Sequence, residues 1–364
     1  MQGNEIEEEV TEMKAWQDKI RSVVPYTPGE QPNRPNMIKL NTNENPYPPA
    51  PGVRDVLDHF DEDRLRLYPD PTAGTLVGAL ADYYHVGKDQ VFTGVGSDDV
   101  LAIAFMTFFN SGKPILFPDI TYSFYDVWAR LFHIPYSCPP LDEQFRICPE
   151  DYYVENGGIV LANPNAPTSI FMPLQEIEAI LQHNQDVIVI VDEAYIDFGG
   201  ISAVELLPRY PNLVVVQTFS KSRAMAGMRI GYAMASPLLI QALNAVKASY
   251  NSYTMNRAAI EAGTAAAEDT TYFRECCEKI MATRARTAEC LKEMGFTCLD
   301  SCTNFLFASH PSVPAEKIYQ KLKERHIFVR YFNKPRINQY LRITIGTDEQ
   351  MERFCSVLQE ILNY

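Results

Sequence analysis

Residues 212–232 read NLVVVQTFSKSRAMAGMRIGY. The first half is a run of strand formers with no polar alternation, the pattern of a strand buried on both faces. Lys221 follows at its carboxyl end. A lysine belongs there when its amine has chemistry to do: desolvation or a nearby cation lets it shed a proton and attack a carbonyl. Alone it reads as well as a side chain snorkelling to solvent. Its neighbours Thr218, Ser220 and Arg229 add hydroxyls and a permanent cation, and together they make an anion site suited to phosphate.

Outward from this stretch, helical and strand patterns alternate from Gly74 to about Met255. TLVGALADYYHV reads as a helix, QVFTGVGSDDVLAIAFMTFF as strand, glycine turn and helix, KPILFPD as a strand and TYSFYDVWARLF as a helix. GIVLANPNAPTS is a strand ending in a turn, LQEIEAILQHN a helix and DVIVIVDEAYIDF a strand. Unbroken apolar runs such as VIVIV point to an α/β fold with a mainly parallel sheet between helices. A long helix is expected over 257–292, and GFTCLDSCTNFLFASH, HIFVRYF and YLRITIGT then read as short strands of a smaller α+β domain. At the other end, Ile6, Val10, Met13 and Ile20 have helical spacing within 5–23, and a proline-rich stretch over 24–51 holds Tyr26, Asn41, Asn43 and Asn45 on a stiff backbone. The expected division is an N-terminal helix and arm over 1–44, packing with the small domain or a partner subunit, a large domain over 45–256 and a small domain over 257–364.

The chain has 364 residues, 46% of them hydrophobic, enough for a sizeable core, and a formal charge of −14. That charge argues against non-specific nucleic-acid binding, which needs basic stripes. The acidic start and the lack of a long apolar run argue against a signal peptide or membrane span and for a cytoplasmic protein. The eight cysteines include no CxxC, and the pair Cys298 and Cys302 has no histidine at zinc-ligand spacing, so free thiols and no metal are expected.

Ligands of open α/β sheets sit at the carboxyl ends of the strands. Asp192 stands there after VIVIV, where a partly buried carboxylate calls for a cation, and Tyr195 lies three residues on. In TGVGSDDV, Ser97 and Asp98 open a helix whose free N–H groups suit a phosphate. Tyr122 is expected at another helix start, where its ring can stack on a flat ligand. An amine, a phosphate cradle, an aromatic face and a buried carboxylate are together the requirements of pyridoxal 5′-phosphate (PLP).

The motifs GSDD, TYSFY, NPNAPTS, DEAYIDF, TFSKSRAMAGMRIGY and LRITIGT, in this order, resemble those of the fold type I PLP-dependent transferases, the aminotransferases among them. KLNTNENPYPP, DEAYIDF and LRITIGT resemble the histidinol-phosphate aminotransferase branch, and the likeness spans residues 24–364. The resemblance implies that Lys221 condenses with the cofactor aldehyde and shuttles the proton between substrate Cα and C4′. It implies that Asp192 pairs with the ring nitrogen and that Tyr195 donates to O3′. Ser97, Asp98, Thr218, Ser220 and Arg229 would hold the phosphate, and Tyr122 would stack on the ring. Tyr68, in RLYPDP, resembles a tyrosine that reaches the cofactor of a neighbouring subunit, which implies a homodimer. The family's asparagine before Pro-Thr is Ala166 in this chain, so either Asn165 substitutes for it or Tyr195 holds O3′ alone, and Ser169 replaces a usual glycine.

On the substrate side, Arg342 and Arg330 resemble anion-binding arginines, and Tyr26 and Asn43 resemble contacts from the N-terminal arm. The resemblance implies exchange of an amino group between L-histidinol phosphate and 2-oxoglutarate, with glutamate as the second product. An aromatic amino acid aminotransferase, a threonine-phosphate decarboxylase and a non-catalytic binder on the same scaffold are the alternatives. The presence of both Lys221 and Asp192 speaks against the last.

Overall fold

The computed structural model describes residue 16, residues 19–27 and residues 29–363. The helix expected over 5–23 falls largely outside the described residues, and residues 20–23, which are described, are not helical. The strands are β1 (Ile38–Lys39), β2 (Val91–Gly94), β3 (Ile115–Leu116), β4 (Tyr136–Ser137), β5 (Ile159–Ala162), β6 (Val189–Asp192), β7 (Leu213–Thr218), β8 (Gly231–Ala235), β9 (Thr297–Cys298), β10 (Phe305–Ser309), β11 (Ile327–Phe328), β12 (Arg330–Tyr331) and β13 (Tyr340–Thr344). The α-helices are α1 (Pro51–Asp58), α2 (Gly74–Tyr84), α3 (Ser97–Phe108), α4 (Tyr125–Leu131), α5 (Leu174–His183), α6 (Pro237–Tyr250), α7 (Arg257–Glu268), α8 (Thr270–Glu293), α9 (Ala315–Glu324) and α10 (Asp348–Leu362).

Seven strands form one sheet in the order β2-β8-β7-β6-β5-β3-β4. Only β8 runs antiparallel to its neighbours. Successive residues of the central strands point to opposite faces, and both faces are buried. Leu161, Val191 and Val215 pack into one apolar layer with α2, α5 and α7. Val160, Ile190 and Val214 pack into the other with α3, α4 and α6. A second, antiparallel sheet has the order β12-β13-β10-β9, and β1 pairs in parallel with β11 beside it.

Two expectations need correction. The helix expected from Thr121 begins at Tyr125 instead, and Tyr122 lies in the preceding turn, where its carbonyl accepts from the Tyr125 N–H at 3.3 Å. The single helix expected over 257–292 is two, because the Asp269 carboxylate accepts from the Tyr272 N–H at 3.0 Å and caps α8. The break has a packing consequence. α7 lies in the apolar layer of the large sheet, while Phe273, Cys277 and Ile280 of α8 join the core of the small one.

Leu40–Asn45 form a ribbon between the two sheets. The Leu40 N–H donates to the Phe328 carbonyl at 2.7 Å, and the Thr344 N–H donates to the Leu40 carbonyl at 3.0 Å. Asn45 Nδ2 donates to the carbonyls of Lys221 and Ser222 at 3.1 and 3.0 Å.

Candidate active site

A cavity of about 170 Å³ opens at the carboxyl ends of β5, β6 and β7. Its wall includes Ser97, Asp98, Tyr122, Asp192, Tyr195, Thr218, Ser220, Lys221 and Arg229, brought together from five separate segments of chain. Asp192 is the last residue of β6 and is 5% exposed. Burial pushes its carboxyl up to about 6, opposed by the Tyr125 hydroxyl, which donates to Oδ2 at 2.8 Å, and by the Ala194 N–H, which donates to Oδ1 at 3.2 Å. No cation pairs with it among the described residues, so one wall of the cavity presents a buried carboxylate suited to a positively charged ring nitrogen.

Another part of the wall is built for an anion. The first N–H groups of α3 have no intrahelical acceptor. Arg229 follows the turn back from Lys221 in the left-handed region, at φ 53°. Its guanidinium reaches Asp98 Oδ2 and Ser220 Oγ, both at 3.3 Å. The Thr218 hydroxyl donates to Ser220 Oγ at 3.0 Å. Two glycines permit this crowding. A Cβ on Gly231 would sit 2.2 Å from the Gly96 carbonyl carbon and 2.3 Å from the Ser97 nitrogen. Gly96, at φ 87°, has Arg229 Nη2 2.3 Å from where its Cβ would stand.

In the same cavity, Lys221 Nζ donates to the Thr42 carbonyl at 3.0 Å. The Tyr122 hydroxyl donates to Asp98 Oδ1 at 2.7 Å, and burial, with the Asp98 carboxylate beside it, holds that phenol well above its ordinary range. The Tyr195 hydroxyl accepts from Asn43 Nδ2 at 2.9 Å.

A second cavity of about 220 Å³ adjoins the first and shares Thr42, Tyr122, Ala166, Tyr195 and Lys221 with it. Tyr26, Asn43, Arg330 and Arg342 line it. Arg330 on β12 and Arg342 on β13 are direct cross-strand partners. The Phe332 ring lies against both guanidinium groups, at 5.3 and 5.5 Å. Burial, and then the neighbouring Arg330 charge, lower the Arg342 pKa, and its Nε is buried without a partner. Like charges facing one another across a ladder are unfavourable without an anion between them. Tyr26 stacks on Phe124 with centroids 4.2 Å apart.

Asn165 does not reach either cavity. Its amide donates to the Ile120 carbonyl and to Thr168 Oγ1, each at 2.9 Å, and its Oδ1 accepts from the Thr121 hydroxyl at 2.8 Å. The turn therefore presents the Ala166 methyl to the cavities and uses Asn165 as an internal staple. Asn43 lines the wall, but its Oδ1 is taken by the Thr344 hydroxyl at 2.9 Å as well as its Nδ2 by Tyr195. Ser169 adopts φ 70°, a conformation that a glycine takes without cost. Tyr68 lines neither cavity; it is 78% exposed and stacks on Tyr253 at 4.6 Å.

Reading the sequence missed Tyr125, Glu44 and Phe332. A buried tyrosine hydroxyl needs a partner, and Tyr125 lies three residues after Tyr122, which was a usable signal. Glu44 lines the first cavity; burial raises its carboxyl, but Lys39, Thr42 and more distantly Lys221 outweigh that and hold it below the usual range.

Residues 35–358 match the aminotransferase class I and II family. The chain is 53% identical over 347 residues to histidinol-phosphate aminotransferase 1 of Hydrogenovibrio crunogenus, covering 95% of this chain and 98% of that one. It is 53% identical to the histidinol-phosphate aminotransferase of Marinomonas sp., covering 95% and 99%. Among solved structures, the histidinol-phosphate aminotransferase of Sinorhizobium meliloti in complex with pyridoxal-5′-phosphate superposes with a TM-score of 0.82 at 25% identity, covering 90% of this chain and 91% of that one.

Proposed function

Because the chain belongs to the class I and II aminotransferases, we propose that it exchanges an amino group between L-histidinol phosphate and 2-oxoglutarate, using PLP and forming imidazole-acetol phosphate and glutamate. The observation that carries the substrate is the cross-strand pair of Arg330 and Arg342 on the cavity next to Lys221. Two guanidinium groups answer a doubly charged phosphate, or the distal carboxylate of a dicarboxylic acid, better than the plain ring of an aromatic amino acid. Histidine biosynthesis in the cytoplasm is the setting that this reading implies.

The residues of the first cavity fit the cofactor. PLP, when bound, supplies an aldehyde that takes up the substrate amine and a protonated ring that accepts electron density from it. Lys221 would move the proton between substrate Cα and C4′. Asp192 would hold the proton on the ring nitrogen, and Tyr195, oriented by Asn43, would donate to O3′. The α3 N–H groups at Ser97 and Asp98, with Thr218, Ser220 and Arg229, would hold the phosphate, and Tyr122 would offer its face to the ring. Asn165 orders the turn beneath and takes no part in the contact.

The same reading makes the working unit a homodimer, with Tyr68 offered to the partner's cofactor. The exposed Leu65, Leu67, Tyr250 and Tyr253 support a covered face there. It also divides each subunit into the arm over 1–44, the large domain over 45–256 and the small domain over 257–364, with α7 riding on the large one.

The test follows the cofactor's absorbance. Histidinol phosphate should convert the yellow enzyme to the colourless, amine-bearing form, and 2-oxoglutarate should restore it. Lys221→Ala should abolish the conversion. Ready conversion by phenylalanine with none by histidinol phosphate would refute the substrate assignment.

A further inference from the structure

Outside the substrate cavity lies another of about 450 Å³, which shares Tyr26, Thr121 and Arg330 with it. Arg130, Lys334 and Arg336 complete its set of cations, against the carboxylates of Asp119 and Asp126. Both carboxylates are engaged: Arg336 pairs with Asp119 at 3.2 Å and Arg130 with Asp126 at 2.7 Å. Arg330 and Lys334 have no carboxylate partner among the described residues. The outer cavity thus carries surplus positive charge on a chain whose formal charge is −14.

The surplus is ordered along one element. Arg330 lies on β12, Lys334 and Arg336 in the connecting turn, and Arg342 on β13. The turn is internally bonded, with the Lys334 N–H donating to the Phe332 carbonyl at 2.9 Å and the Ile337 N–H to the Lys334 carbonyl at 3.3 Å. Cations therefore run from the exposed Lys334, through Arg330 on the wall common to both cavities, to the enclosed Arg342. A cleft lined by one sign of charge concentrates ligands of the other sign and raises their association rate.

We infer that the β12–β13 hairpin is an electrostatic entry path for dianionic substrates, with Lys334 as the outer capturing charge that delivers a phosphate monoester or a dicarboxylate to Arg330 and Arg342. This rests on the proposed reaction only in that both of its cosubstrates carry two negative charges at one stage of the cycle.

The test measures half-reaction rates with histidinol phosphate, with histidinol (the same amine without the phosphate) and with 2-oxoglutarate, for Lys334→Glu and for Lys317→Glu. Lys317 is exposed on α9 and lines neither cavity, so it controls for net charge. Lys334→Glu should lower the apparent second-order rate constant for the two dianions about threefold to tenfold at roughly 10 mM ionic strength, and less than about twofold at roughly 0.5 M. The saturating rate should hold, and histidinol, a cation, should show no loss. An equal loss with histidinol, a loss that salt does not screen, or the same loss in Lys317→Glu would overturn the inference. If histidinol phosphate is not a substrate at all, the proposed function fails, and the 2-oxoglutarate arm still decides the entry path.

Discussion

Tyr125 and Asp192 share a hydrogen bond of 2.8 Å at the buried base of the first cavity. Burial raises the Asp192 carboxyl to about 6, and the Tyr125 hydroxyl is the foremost group opposing that rise, while the Asp98 charge adds to it. The folded-state value lies above the ordinary 3.8, so the ionised carboxylate opposes folding of the cofactor-free protein. That cost sets in above about pH 4 and is complete above about pH 6. If Asp192 pairs with the ring nitrogen as proposed, PLP binding should weaken as pH falls below about 6, because the carboxyl must lose a proton to meet the ring. In Tyr125→Phe the midpoint of that pH dependence should move up, since a group that favours the charged form is gone and the ring still fills its place. Fluorescence titration of apoenzyme with PLP at a series of pH values checks this, and an unmoved midpoint would show that the hydroxyl does not support the carboxylate. Lys221 and Asp192 were legible in the sequence because an ionisable group after an apolar strand is a chemical contradiction that invites a ligand. Asn165 was misleading because the path of the NPNAPTS turn, not its composition, decides which side chain faces the cavity.

At the scale of elements, the anion site depends on how closely β8 approaches the start of α3. Gly231→Ala places a methyl against the backbone of Gly96 and Ser97, which has no rotamer through which to escape. The expected loss is about 1–3 kcal/mol of stability, together with weaker PLP retention. Gly227 has open space around it. Gly227→Ala should therefore change stability by no more than about 0.5 kcal/mol. Urea unfolding of both variants measures the contrast, and equal effects would mean that the close approach is not what the glycine serves. The strands of the large sheet were readable because both of their faces are buried, which leaves unbroken apolar runs. The starts of α4 and α8 were not, because both are set by single capping or turn hydrogen bonds inside segments whose apolar spacing continues across the break.

For the whole molecule, the motif order along residues 24–364 was enough to indicate the fold type, whereas assembly leaves only faint marks on one chain. Sedimentation should give twice the monomer mass. Tyr68→Phe should leave that mass unchanged while weakening PLP retention about tenfold, the effect of losing one hydrogen bond to a charged group. A monomer in solution, or unchanged retention in the variant, would remove the partner from the site. Within one subunit, the ribbon Leu40–Asn45 is bonded to β11 and β13 on one side and to the Lys221 segment on the other. It works as a drawstring between the halves. A swing of the smaller sheet, which bears Arg330 and Arg342, would pull on the same six residues that hold the Lys221 amine, so in the proposed reaction gripping a substrate and placing the proton-moving amine would become one mechanical event.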